Sequence, residues 1–513
     1  MIAVFTVLAK VLGLGINFSL AHQFGAGRDL DVYVAAFRIP DFIFNLLISG
    51  TLSVAFIPVF MDYLNVDPKR AFRVTSTVFN FTFAAMAAVS FLGFLLAPFL
   101  VRFVVPGFSP AQQAETASLS RILMLSPLLF SLSSILTSIL HSYKKFFMPA
   151  VAPLVYNLSI LSGIFFLYPR FGLPGIAWGV VAGAALHFLT QLPAVLKLGL
   201  PLFSHFDLSD PGVRKIGKLF APRILGIDLG QISLLIASVI GSTLASGTIA
   251  VYYYGFNLET VPLGVFALAF SITAFPVLSE FAAKKDYGGF KTFLSRTMVQ
   301  LLFLIIPMSV LLLVLRAQIV RLILGALSGT NFTFEDTRRT ALVLGFFAIS
   351  LFAQALIPLV ARAFYALQNT VIPVIGGAIA IVLNIIFAYL LTRNFGGETL
   401  ALAFSLAAIF DVVFLFLFLR RKLGGDLADD FLFLRVIKIS VASAVMGTCV
   451  YLSLYAIAPF VNMNTYLGIL LQGAGAVLVG VLTYLFAGFV VDLPEARAST
   501  VVLKAWFKKF LRV

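Results

Sequence analysis

The chain has 513 residues, 61% hydrophobic and 11% charged, with a net charge of +15. A soluble domain carries about 25% charged residues, so this composition, with a mean hydropathy of +1.06, excludes the three or four soluble domains that length alone would suggest. The basic residues sit in short loops between apolar runs, which excludes a nucleic-acid partner, and the single cysteine, Cys449, excludes an internal disulfide or a thiolate metal cluster.

Apolar stretches of about 20 residues recur from end to end, long enough for helices to cross a bilayer. Backbone groups in lipid must be satisfied within the segment, so these are helices, and the short alternating segments of a β-barrel do not dominate. The expected class is all-α: a polytopic membrane protein with 14 transmembrane helices. Their expected ranges are 2–23, 31–61, 74–104, 117–140, 148–168, 173–196, 220–242, 249–279, 292–315, 340–365, 371–391, 398–419, 434–458 and 464–489. The N-terminus lacks a basic leader and a small-residue cleavage site, so it reads as the first span.

Span 1 carries Lys10 and Asn17, seven apart and on one face. Span 2, DVYVAAFRIPDFIFNLLISGTLS, carries Asp31, Arg38, Asp41, Asn45, Ser49 and Ser53. On one helix these six fall within a sector of roughly 120°. A charge facing lipid is expensive, so the stripe predicts a polar interior route. Span 2 is also too long for a straight crossing, and Pro40, Gly50 and Pro58 predict bends or breaks, as do Pro262 and Pro276 in span 8. The linker 201–219 and the tail 491–513 each mix basic and apolar residues and predict amphipathic helices at the inner leaflet. Span 7 offers Asp228 and Gln231, and span 8 offers Asn257 and Glu259.

With the N-terminus inside, 24 Lys and Arg fall in inner segments and nine in outer ones, which predicts both termini in the cytoplasm. A weak repeat after about 215 residues pairs KVLGLGINFSL at 10–20 with RILGIDLGQISL at 223–234, and VAFIPVF at 54–60 with TAFPVLSEF at 273–281. It predicts two six-helix lobes, 1–200 and 220–421, joined by the linker. Spans 13 and 14, in 422–490, lie outside the repeat. Repeat-built transporters place substrate at the seam between halves.

Enzyme signatures are missing: the chain holds neither a P-loop nor a G-x-S-x-G elbow. His22, His141, His187 and His205 lack metal-ligand spacing, and His187 reads as a packed or hydrogen-bonded residue. The intramembrane charges leave two readings open. They line a cavity, or they pair off and lock helices together. For Asp31 an N-cap role is a further alternative, and Asp411 stands alone in span 12.

FGAGRDLDVYVAAFRIPDFIFNLLISGTLSVAFIPVF at 24–60 resembles the opening of the MurJ (MviN) family of lipid II flippases. The likeness continues in PAVAPLVYNLSI at 149–160, ILGIDLGQISLLI at 224–236, YYGFNLETVPLGVFALAF at 253–270 and FYALQNTVIP at 364–373. The resemblance implies two six-helix lobes that alternate in access and move a lipid-linked disaccharide-pentapeptide. It also implies that the last two helices form a groove for the polyprenyl tail. Of the family's cavity cations, Lys10 matches the first, with a point charge in place of a bidentate fork, and Arg38 matches a basic position. Other basic positions fall at Ile16, at Phe44 or Asn45, and at Asn257. Asp31 matches a family aspartate, and Ser49 stands where an acidic residue is expected.

The expected function is therefore flipping of lipid II, or of another polyprenyl-pyrophosphate glycan, across the bacterial cytoplasmic membrane, without enzymatic chemistry, metal or cofactor. Lys10 and Arg38 would meet the pyrophosphate. Asp31, Asp41, Asn45 and Asn257 would meet sugar or peptide groups, and Asp228 and Glu259 would serve gating or coupling to an ion left open. Expected partners are membrane lipids and cell-wall synthesis proteins. The alternatives are a cation-coupled small-molecule exporter and a non-transporting scaffold.

Overall fold

The computed structural model describes residues 2–47, 51–220, 229–325, 329–425, 427 and 429–497, and the described residues contain no strand. Among the described residues, twelve helical stretches are long and apolar enough to cross a membrane. The second and seventh expected spans hold shorter apolar helices, Ala55–Leu64 and Leu229–Gly241. Large apolar side chains stay exposed along the helices, among them Phe91, Phe99 and Phe103, and Val382 and Ile385. A water-soluble fold would bury such a band, so lipid is the solvent these faces need. The chain divides into two compact units, Met1–Ala250 and Val251–Val513.

The first unit begins with α1 (Ile2–Phe24), α2 (Arg28–Ala36), α3 (Arg38–Leu47) and α4 (Thr51–Leu64). The expected second span is thus broken at Phe37, between α2 and α3. Proline accounts for this break: Pro40 has no N–H to give to the carbonyl of Ala36, and Ser120 donates to that carbonyl at 2.9 Å instead. There follow α5 (Pro68–Val104), α6 (Pro110–Leu123), α7 (Leu125–Ser142), α8 (Phe147–Ser162), α9 (Tyr168–Phe171) and α10 (Leu173–Leu196). Gly175, Gly179 and Gly183 repeat every fourth residue on α10 and let it lie against α8 and the π-helical turn Gly163–Leu167. A Cβ on Gly179 would stand 2.7 Å from the Gly163 Cα. Such small-residue faces bring helices together where water supplies no hydrophobic drive.

Next come α11 (Pro211–Phe220) and α12 (Leu229–Gly241). The linker expected to be amphipathic forms α11, which packs on α4 and α5. Lys215 meets Asp62 at 3.0 Å, Arg70 meets Asp210 at 3.4 Å, and Ile216 joins the apolar core of Phe56, Phe60 and Phe79.

The chain crosses into the second unit within α13 (Thr248–Pro262), which a π-helical turn, Leu263–Ala267, separates from α14 (Leu268–Ala283). Then follow α15 (Tyr287–Val314), α16 (Arg316–Val320), α17 (Phe334–Ala366), α18 (Val371–Phe395), α19 (Leu400–Lys422), α20 (Asp429–Ile457) and α21 (Tyr466–Val490). In this unit α17 packs against α14, α15 and α19. The last two helices pair with each other and rest on α15, where Tyr484 donates to the Phe303 carbonyl at 2.8 Å. The basic tail beyond residue 497 lies outside the described residues.

Candidate functional site

The stripe of span 2 does not run as one face, because the helix breaks at Phe37, between α2 and α3. Asp31, on α2, is only 3% exposed. Its two carboxylate oxygens accept from the backbone N–H groups of Gly247, at 2.6 Å, and Ala250, at 2.8 Å. These are donors that a helix start leaves unsatisfied, and a buried carboxylate is a strong partner for them. Asp31 therefore caps a helix, but one 216 residues downstream and not its own.

Arg38 is buried and close enough to Asp41, one turn on, to act on its carboxylate. Asp41 and Asn45 are half-buried, and the Asn45 amide donates to the Asp41 carbonyl at 2.9 Å. Both line a cavity of about 460 Å³ within the first unit. The facing wall presents Ser126, Ser134 and Thr137 of α7, Tyr156 of α8 and His187 of α10. The hydroxyls of Ser126 and Ser134 have no hydrogen-bond partner among the described residues. Ser49 and Ser53, whose side chains lie outside the described ones, cannot be placed in this wall.

A hydrogen-bonded chain stiffens the same wall. Thr137 donates to Gln191 Oε1 at 2.8 Å, Gln191 Nε2 donates to Ser133 Oγ at 2.8 Å, and Ser133 Oγ lies 2.7 Å from His187 Nδ1. Since Ser133 already accepts from Gln191, its own proton is assigned to the imidazole, which leaves the ring proton on His187 Nε2. His187 is hydrogen-bonded, as expected, and it also borders the cavity. The α7 wall is the part that reading by charge missed. Its signal is the hydroxyl-rich run Ser126, Ser134, Thr137, at spacings that return to one helix face.

The other expected residues sit elsewhere. Lys10 is exposed on α1, beside Ala9, whose carbonyl accepts from Asn157 at 2.9 Å. Asn257, in the second unit, turns its amide back to the Tyr253 carbonyl at 3.0 Å. Glu259 is fully buried there and accepts from Gln354 of α17. Gln354 donates also to Ser350, which donates to Ser405 of α19 at 2.8 Å. The second Glu259 oxygen has no partner among the described residues. Asp411 is buried on α19 with Oδ1 likewise unpartnered, facing the bare backbone of Gly376. Asp228 lies outside the described residues. Among the described residues no group of three His, Cys, Asp or Glu could hold a metal ion.

The family model for "Lipid II flippase MurJ" matches residues 20–471. The chain belongs to the MurJ family. A MurJ relative from Buchnera aphidicola subsp. Acyrthosiphon pisum, named a probable lipid II flippase, is 28% identical over 94% of this chain and 95% of its own length. A MurJ relative from Vibrio cholerae with the same name is 29% identical over 81% of each chain. Among solved structures, a lipid II flippase MurJ in an inward closed conformation matches with a TM-score of 0.78 at 24% identity, over 95% of this chain and 98% of its own. An inward-facing multidrug resistance MATE family transporter of the MOP superfamily matches with a TM-score of 0.67 at 15% identity, over 82% and 95%. These two likenesses show that this MurJ-family chain shares its fold with both.

Proposed function

We propose that this protein is a flippase that carries lipid II across the cytoplasmic membrane by alternating access. The polar cavity of the first unit carries this reading, placed as it is in a bundle whose outer faces suit lipid. A disaccharide-pentapeptide offers many hydroxyl and amide groups and needs donors and acceptors in mixture. Asp41, Asn45, Ser126, Ser134 and Thr137 supply that mixture, and Phe44, Phe130 and Tyr156 offer faces for sugar rings. The pyrophosphate falls to Lys10, the exposed cation of α1, with Arg38, whose charge acts on Asp41, adding positive charge. Asp31 is committed to backbone donors and acts in architecture. The polyprenyl tail stays in lipid, and the paired α20 and α21 offer a surface for it. The chain transports and does not catalyse, and the excess of basic residues on one set of loops favours both termini inside.

The test is lipid II translocation in cells depleted of their own flippase. The wild-type chain rescues them, while Asp41→Asn and a Ser126→Ala/Ser134→Ala double variant, expressed to the same level, rescue poorly. Failure of the well-expressed wild type both to rescue and to bind lipid II overturns the reading.

A second reading, a cation-coupled exporter, draws on the unpartnered oxygens of Glu259 and Asp411, which are suited to carry a proton or a cation. Drug efflux under an imposed ion gradient, abolished by Glu259→Gln, separates it from the first.

A further inference from the structure

Outside the polar cavity the first unit has a second concavity, about 450 Å³, between α5 and α11. Its walls are almost wholly apolar: Val78, Met86 and Val89 from α5, and Ile216, Gly217 and Phe220 from α11. The fold gives it a definite depth. Exposed apolar residues on α5 begin at Phe81 and end at Phe103. That run is about 33 Å long at 1.5 Å per residue, close to the roughly 30 Å of a hydrocarbon core. The groove therefore starts at one edge of the lipid-facing band and runs inward along it.

That edge is the basic one. The N-terminal end of α5 carries Lys69, Arg70 and Arg73. On α11, Arg214 and Lys218 are exposed and one turn apart, flanking the groove-lining Gly217. Arg70 and Lys215 are matched by Asp210 and Asp62, and Arg214 acts on Asp207. Lys218 has no ion pair among the described residues. The linker before α11 adds lipid-seeking side chains, since Phe206 is 61% and Phe203 71% exposed, with Phe203 edge-on to Phe79 at 5.3 Å. An apolar slot, an exposed cation next in sequence to one of its lining residues and aromatic residues in the preceding linker complement one kind of molecule: an acyl chain with an anionic head.

We propose that the α5–α11 groove is a binding site for an anionic glycerophospholipid of the adjoining leaflet, one acyl chain lying in the groove and the headgroup phosphate held by Lys218 and Arg214. The site pins α11 to the membrane surface by its open side, as the ion pairs to Asp62 and Asp210 pin it to protein by the other. It is separate from the polar cavity, and lipid II plays no part in it.

The experiment uses the full chain in nanodiscs of equal phosphatidylglycerol and phosphatidylcholine. The chain is then extracted in mild detergent, and the retained lipid is measured by mass spectrometry. The wild type should retain phosphatidylglycerol in preference to phosphatidylcholine. Gly217→Leu should lose the retained lipid, because Gly217 lines the groove and a Cβ there meets no atom within 4 Å, which leaves room for the side chain to enter the groove. Ala85→Phe, from the opposite wall, should do the same and decides the matter if the first variant fails to fold. Lys218→Gln should keep a bound lipid and lose preference by roughly fivefold, the factor for about 1 kcal/mol per surface cation. Equal retention of the two lipids by the wild type overturns the proposal, as does unchanged phosphatidylglycerol in the folded groove variants. Retention of a polyprenyl lipid in place of phospholipid also overturns it.

Discussion

Ser120 donates its hydroxyl proton to the Ala36 carbonyl at 2.9 Å, taking the place of the N–H that Pro40 lacks. Both partners are buried, so the bond decides whether the kink between α2 and α3 is tolerated. Ser120→Ala should cost about 1 kcal/mol, within the range of interhelical hydrogen bonds in membranes. Pro40→Ala should offset part of that loss by restoring the intrahelical donor. A double-mutant cycle followed by unfolding in sodium dodecyl sulfate checks the coupling, and additive losses would separate the kink from the serine.

Asp31→Ala should destabilise the first unit by about 2–4 kcal/mol, since it leaves two buried N–H donors without a charged acceptor. Asp31→Asn, which keeps one oxygen, should lose less. The same unfolding titration ranks them. If transport falls in both variants while the unfolding midpoint stays fixed, Asp31 acts on cargo and not as a cap.

Gly179→Ala should weaken packing of α10 on Gly163 by about 1–3 kcal/mol, the usual range for overpacking. Gly179→Leu should prevent accumulation of folded protein. Gly13→Ala is the control, because a Cβ there meets nothing within 4 Å. Fluorescence size-exclusion profiles over a temperature series separate the three.

Asp207, in the linker ahead of α11, accepts from both the hydroxyl and the N–H of Ser209, at 2.5 and 2.9 Å, and the hydroxyl is the larger cause that holds its carboxyl below the ordinary aspartate value. A carboxyl depressed in the folded state contributes stability above its unfolded pKa, and that contribution is lost as pH falls through the folded value. The Asp207 turn should therefore hold at neutral pH and open only below about pH 4, the ordinary carboxylate range. Amide exchange at Ser209, corrected for its intrinsic rate, should accelerate over that window, and Ser209→Ala should move the onset to higher pH.

Much of the site was legible because lipid makes charge costly, so polar side chains in apolar runs stand out. Asp41 and Asn45, which line the cavity, stand out in this way. The α7 wall was not, because single serines are cheap in a membrane helix and carry no charge to flag them. His187 reads from the sequence as packed or hydrogen-bonded, but its place beside Asp41's cavity depends on α10 packing against α7. The stripe looked continuous because a sector drawn on one ideal helix cannot show where Pro40 breaks it.

By itself the sequence determined the class, the apolar segments and the polar inventory, since these follow from local hydropathy and from the need to satisfy backbone groups within each segment. The tertiary structure alone decided which polar groups are spoken for. Asp31 and Asp41 are both acidic and ten residues apart. One is consumed by backbone donors from Gly247 and Ala250, and the other is left facing a cavity. That difference rests on contacts more than 200 residues away in the chain, which no local pattern records.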